Sequence, residues 1–144
     1  MACGGCTKLL SHLKAVARRA GIRLFLKEVN RIMNETPLLV NVKPHGQYPV
    51  GEFGRAGGVR AVMKELAPLL HGDCLTVSGR TVAENLASAE TAFNREVIRP
   101  FDDPILPSGR VSVIRGNLAQ GGREVQHTAA HAHLTKPKRY ATAY

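Results

Sequence analysis

The sequence predicts a mixed α/β fold over residues 1–92, followed over residues 93–144 by a linker and the opening of a β-rich unit. Three observations carry this expectation. Apolar residues recur at helical spacing in several segments of the first part. A mostly apolar stretch at Leu38–Val42 sits between those segments and reads as a buried strand. After Ala92 the composition changes: Pro100, Pro104 and Pro107 crowd together, and Val111 to Ile114 then alternates roughly like a strand.

The elements follow in order. Gly4-Gly5-Cys6-Thr7 is a glycine-rich turn, and behind it Leu9, Leu13, Val16 and Ala20 recur at spacings of four, three and four. That pattern is one stripe of an amphipathic helix. Thr7 can cap its start, Arg18 and Arg19 suit the negative end of its dipole, and Gly21 suits a left-handed cap. A weaker helical pattern runs from Leu24 to Met33, stopped by Thr36-Pro37 because a residue before proline is pushed out of the helical region. Lys43-Pro44-His45-Gly46 is a turn. Ala56-Gly57-Gly58 precedes a helix with an apolar face of Val59, Val62, Met63 and Leu66, and Pro68 ends or bends it. Cys74–Val77 is a short strand candidate, with Ser78-Gly79-Arg80 as the turn after it. Thr81 to Ala89 is helical, with Thr81 and Glu84 in capping-box spacing.

Composition bounds the function. Hydrophobic residues make up 44%, enough for a packed core, and with aromatics at 5% that core must come from Leu, Val, Ile and Ala. No apolar run approaches the roughly 20 residues that span a bilayer. The opening Met1–Cys6 lacks the basic segment and apolar run of a secretory signal, so a cytoplasmic protein without a membrane partner is expected. Three cysteines are an odd count, which argues against a disulfide framework. Lys and Arg total 20 against 11 acids, a net charge of +9. Those charges are scattered from Lys8 to Arg139 without interleaved aromatics, so nucleic acid is not the expected partner. A basic binding module stands as the alternative functional reading.

Four local features invite chemistry. Cys3 and Cys6 have the spacing of a metal or redox pair, but no second pair exists and Cys74 is distant. His127, His131 and His133 share one segment, and the first two would share a helix face; a solvated polar tail is the favoured account. Asp102-Asp103 lies among prolines and reads as exposed loop carboxylates. The turn at Gly4, Gly5, Cys6 and Thr7 can serve as an anion site, because unpaired N–H groups and the positive dipole end meet at a helix start. A tight turn that merely packs closely explains the same residues as well.

Several strings taken together resemble the dihydroxy-acid dehydratase family, which includes sugar-acid dehydratases and phosphogluconate dehydratase. Gly4-Gly5-Cys6-Thr7-Lys8 resembles the family's Gly-Gly-Ser-Thr-Asn turn, and the helix behind it carries Leu9 and His12. Thr36-Pro37-Leu38-Leu39 through Lys43-Pro44 and Gly46 follows, then Arg55-Ala56-Gly57-Gly58-Val59 with Ala61 to Leu66. The most specific string is Leu70-His71-Gly72-Asp73-Cys74-Leu75-Thr76-Val77-Ser78-Gly79-Arg80-Thr81, which points to the dihydroxy-acid branch. Val97-Ile98-Arg99-Pro100, Pro104-Ile105, Pro107-Ser108-Gly109 and Ile114 to Ala119 complete the series. Departures are Cys6 in place of the family's Ser and Lys8 in place of its Asn.

The resemblance implies an internal fragment of a hydro-lyase that converts 2,3-dihydroxy acids, branched-chain amino-acid precursors or sugar acids, to 2-keto acids. It implies a partial α/β dehydratase domain at 1–92 and the beginning of a β-rich C-terminal domain within 93–144. Full-length members use an iron–sulfur cluster and magnesium and form homo-oligomers. None of Cys3, Cys6 or Cys74 falls on a cluster-ligand motif, so no catalytic, cofactor-binding or metal-binding residue is assigned and no cofactor is expected on this chain. Gly4, Gly5, Cys6 and Thr7 are the candidate substrate-pocket turn. The expectation is a chain inactive by itself, or a non-functional gene remnant.

Overall fold

A computed structural model describes residues 1–5, 8–109, 111–117 and 119–126. Its helices are α1 (Lys8–Arg19), α2 (Leu26–Glu35), α3 (Val50–Arg55), α4 (Gly58–Glu65) and α5 (Val82–Ala87). Strands β1 (Val111–Gly116) and β2 (Ala119–Gln126) form an antiparallel pair. Backbone register runs Val111↔Gln126, Ser112↔Val125, Val113↔Glu124 and Ile114↔Arg123, then shifts before Gly116↔Ala119.

Local chemistry sets most helix ends where the sequence puts them. At the end of α1 the Ile22 N–H donates to the Ala17 carbonyl at 2.8 Å and the Gly21 N–H to the Arg18 carbonyl at 3.1 Å. These are the two bonds of a Schellman cap, and they need a residue at positive φ; Gly21 has φ 73°. The α2 helix stops at Thr36, whose backbone turns extended (φ −97°, ψ 114°) ahead of Pro37. Pro68 begins no new α-turn; it sits in a 3₁₀ turn, Ala67–Leu69, directly after α4. Thr81 caps α5, accepting from the Glu84 N–H at 3.2 Å while the Glu84 carboxylate accepts from the Thr81 N–H at 2.7 Å. The spacing of these two residues predicts that reciprocal box.

The core is built around the Leu38–Val42 segment. Leu39 and Val40 are buried together with Ala56, Ala61, Val62, Val97 and Ile98. Extended pairing joins the segment to the proline-rich stretch: Leu38 bridges Leu106 and Val40 bridges Ile98, both antiparallel. The Ala2 carbonyl accepts from the Leu39 and Val40 amides at 3.0 and 3.2 Å, which brings the opening residues against the same segment. A second cluster, Leu10, Val29 and Met33, packs α1 on α2. The Gly109 N–H donates to the Met33 carbonyl at 2.7 Å and ties the end of the proline-rich stretch to α2.

Two expectations are corrected. The apolar stripe of α1 is not its buried face. Leu10 is buried, whereas Leu13 and Val16 are 41% and 67% exposed. Leu10 follows Leu9 by one residue, so the packed face is turned about 100° from the stripe. Cys74–Val77 is not a strand: only Leu75 bridges, to Thr81. The Thr76 hydroxyl donates to the Arg80 carbonyl at 2.8 Å, and the Thr76 N–H bonds the same carbonyl at 2.9 Å. Those bonds fold the chain back after one residue.

Candidate functional site

The Gly4–Thr7 turn precedes a 12-residue helix, long enough for a full N-terminal dipole. Its first half is a closed turn, with the Gly4 N–H bonded to the Met1 carbonyl at 2.9 Å. Gly4 has φ 71°, a conformation that disfavours any side chain. A side chain on Gly5 would meet Leu9 Cδ2 at 2.9 Å. Cys6 and Thr7, the other two residues of this candidate, lie outside the described residues. Thr7 as a helix cap shares that position. His127, His131 and His133 also lie outside them.

The remaining candidates are dispersed. Cys3 and Cys74 are both exposed free thiols. Desolvation pushes the Cys3 thiol above its ordinary range, with the positive amino group beside it acting weakly the other way. A thiol shifted in that direction is protonated at neutral pH and is a poor ligand or nucleophile. Asp103 pairs with Arg99 inside its own turn, and the Arg99 Nε–H also donates to the Asp103 carbonyl at 3.2 Å. Asp102 and Asp103 are exposed, as the proline-rich surroundings predict.

An iron–sulfur cluster needs several thiolates converging on one point, and magnesium needs oxygen donors arranged around it. No group of three or more His, Cys, Asp or Glu able to hold a metal ion occurs among the described residues. The two described thiols are exposed, and the carboxylates of Glu28, Glu35, Glu52, Glu65 and Asp103 are engaged by arginines. The described donor set therefore does not fit either group.

One polar cluster escaped the sequence reading. Asn41 Nδ2 donates to the Glu96 carbonyl at 3.3 Å and its Oδ1 accepts from the Gln47 N–H at 3.0 Å. The Tyr48 hydroxyl donates to the Glu96 carboxylate, and that bond pushes the phenol above its usual range. Tyr48 and Glu96 are 48 residues apart, so no local pattern could have paired them.

The described residues are mainly helical, with one antiparallel strand pair against which α2 packs. The family model for the dihydroxy-acid/6-phosphogluconate dehydratase N-terminal region matches residues 1–85. Dihydroxy-acid dehydratase of Chloroflexus aurantiacus is 45% identical over 126 residues, 85% of this chain and 22% of that protein. The enzyme of that name from Caldanaerobacter subterraneus subsp. tengcongensis is 42% identical over 138 residues, 94% of this chain and 25% of its own length. That of Leifsonia xyli subsp. xyli is 46% identical over 129 residues, 88% of this chain and 23% of its own. This chain belongs to the dihydroxy-acid/6-phosphogluconate dehydratase family. It spans between 22% and 25% of the length of these curated relatives. No helix among the described residues is long and apolar enough to cross a membrane.

Proposed function

We propose that this chain is a scaffold segment of a hydro-lyase acting on 2,3-dihydroxy acids, and that it does not turn over substrate alone. The observation that carries the reading is the identity of 42–46% across most of this chain, set against its small share of each relative. Residues 1–92 belong to an α/β dehydratase domain. Residues 93–144 are a linker that packs Val97 and Ile98 into that domain and leads through the β1–β2 pair into a β-rich one. The whole enzyme is a cytoplasmic homo-oligomer.

Dehydration removes hydroxide from C3 and a proton from C2 of the acid; the resulting enol tautomerises to the 2-keto acid. Three tasks follow: holding the carboxylate, stabilising the departing oxygen and accepting the C2 proton. The turn at Gly4, Gly5, Cys6 and Thr7 suits the first task. With the Gly4 N–H held by the Met1 carbonyl, the positive end of α1 is what favours a carboxylate there. For the other two tasks an iron–sulfur cluster and magnesium would supply the electrophile and a base the proton acceptor; the described residues of this chain would hold neither metal group.

The test is to purify the chain, reconstitute it anaerobically with iron and sulfide, and assay 2,3-dihydroxyisovalerate. Neither visible cluster absorbance nor keto-acid product is expected. Cluster-dependent turnover by this chain alone would refute the reading.

A further inference from the structure

We propose that the cleft formed by the last two turns of α1 and the loop from Gly21 to Leu24 binds a small organic phosphate. This proposal does not rest on the hydro-lyase reading. Lys14, Arg18 and Arg23 line one cavity of about 480 Å³, together with Gly21, Ile22 and Leu24. No carboxylate is among those residues. Residues 1–27 hold six Lys and Arg (Lys8, Lys14, Arg18, Arg19, Arg23 and Lys27) and no Asp or Glu. The first acid in the chain, Glu28, is already bonded to Arg31. Among the described residues, Lys14, Arg18 and Arg23 have no ion-pair partner.

Gathering three cations without a counter-charge works against folding. Lys14 and Arg18 stand four apart on α1, where like charges repel across one helical turn. An ordinary reason for cations here is the negative end of the helix dipole. That end is largely satisfied already. The Val16, Ala17 and Arg18 carbonyls accept from the Ala20, Ile22 and Gly21 amides at 3.0, 2.8 and 3.1 Å. The cationic groups are thus left to face the cleft, and an oxyanion there turns mutual repulsion into charge-assisted bonding. Ile22 and Leu24 give the same cleft an apolar wall, which favours a phosphate carrying a carbon skeleton over the bare ion.

The experiment is a titration of the ¹⁵N-labelled full chain at low ionic strength with phenyl phosphate, inorganic phosphate and a single-stranded oligonucleotide. Phenyl phosphate is expected to saturate, with amide shifts concentrated between Lys14 and Leu24, and to bind more tightly than inorganic phosphate. Replacing Arg18→Gln and Arg23→Gln together should weaken it at least about tenfold, while Arg19→Gln, outside the cleft, should not. Circular dichroism checks that the variants keep their helix content; Arg18 and Arg23 are exposed. The proposal is overturned by absence of saturation, by equal weakening in Arg19→Gln, or by binding of the oligonucleotide without phenyl phosphate. A collapsed, undispersed spectrum of the unmodified chain overturns it too, since the cleft must form within this polypeptide.

Discussion

Gly46→Ala and Gly54→Ala are the same chemical change with opposite expected signs. At Gly46 a methyl group would fall well inside van der Waals contact of the Asn41 carbonyl carbon and the Val42 amide nitrogen, and 2.6 Å from Asn41 Oδ1. Two of these neighbours are backbone, so no side chain can swing away to make room. Overpacking of that kind costs about 1–3 kcal/mol. The necessary displacement also strains the Gly46 N–H bond to the Val42 carbonyl at 2.7 Å and the Gln47 N–H bond to Asn41 Oδ1 at 3.0 Å. Each is worth roughly 0.5–1.5 kcal/mol, bringing the expected loss to about 2–6 kcal/mol. Gly54 lies in α3, with nothing within 4 Å of the added atom and no left-handed backbone. There alanine should gain about 0.5–1 kcal/mol through helix propensity. Urea unfolding followed by far-ultraviolet circular dichroism reads both. With a slope near 1–3 kcal/mol/M, the two midpoints should separate by on the order of 1 M or more. Loss of any folded baseline in Gly46→Ala agrees with the expectation. A Gly46→Ala midpoint at or above the unmodified chain, or an equal fall in Gly54→Ala, refutes the packing argument.

Thr81→Ala removes the capping box of α5 and should cost about 1 kcal/mol, with Thr81→Ser nearly neutral in the same urea assay. Leu13, Val16, Ile22, Phe25 and Val77 are exposed, so the isolated chain should melt below about 50 °C or self-associate; scanning calorimetry with light scattering decides, and a cooperative melt above that range contradicts the expectation. Because desolvation raises the Cys3 thiol, iodoacetamide at neutral pH should modify Cys74 before Cys3, with Cys3 catching up only as pH rises past its elevated value; peptide mapping that finds Cys3 first counts against this. The raised Tyr48 phenol places the stability of its bond to Glu96 below the ordinary tyrosine value of 10.0, to be lost as pH climbs through the higher folded value. Tyr48→Phe should therefore remove any alkaline loss that ultraviolet titration assigns to this residue.

What could be read from sequence was what neighbouring residues decide among themselves. The Schellman cap at Gly21, the stop before Pro37 and the Thr81–Glu84 box each close within six residues, and each follows from backbone sterics or a short side-chain reach. The packed face of α1 lies beyond such rules, because spacing shows which residues form a stripe, not which neighbour covers it. Leu10 won through contact with Val29 and Met33, both remote in sequence. The same limit hid the Tyr48–Glu96 bond and the partners of Leu38–Val42, which come from Ala2, Val97, Ile98 and Leu106. Of the candidate turn, the glycine half could be anticipated from conformational freedom alone, and Gly4 occupies the left-handed region that only glycine adopts without strain.

Ala2 is 4% exposed, and its carbonyl is the shared acceptor for two amides of the central segment. Anyone preparing this polypeptide inherits a practical rule from that. Proteolytic trimming of the opening dipeptide would strand the Leu39 and Val40 amides in the interior, at about 1–3 kcal/mol for each donor left bare. Limited digestion from the front should therefore unravel the middle of the molecule rather than shave its edge.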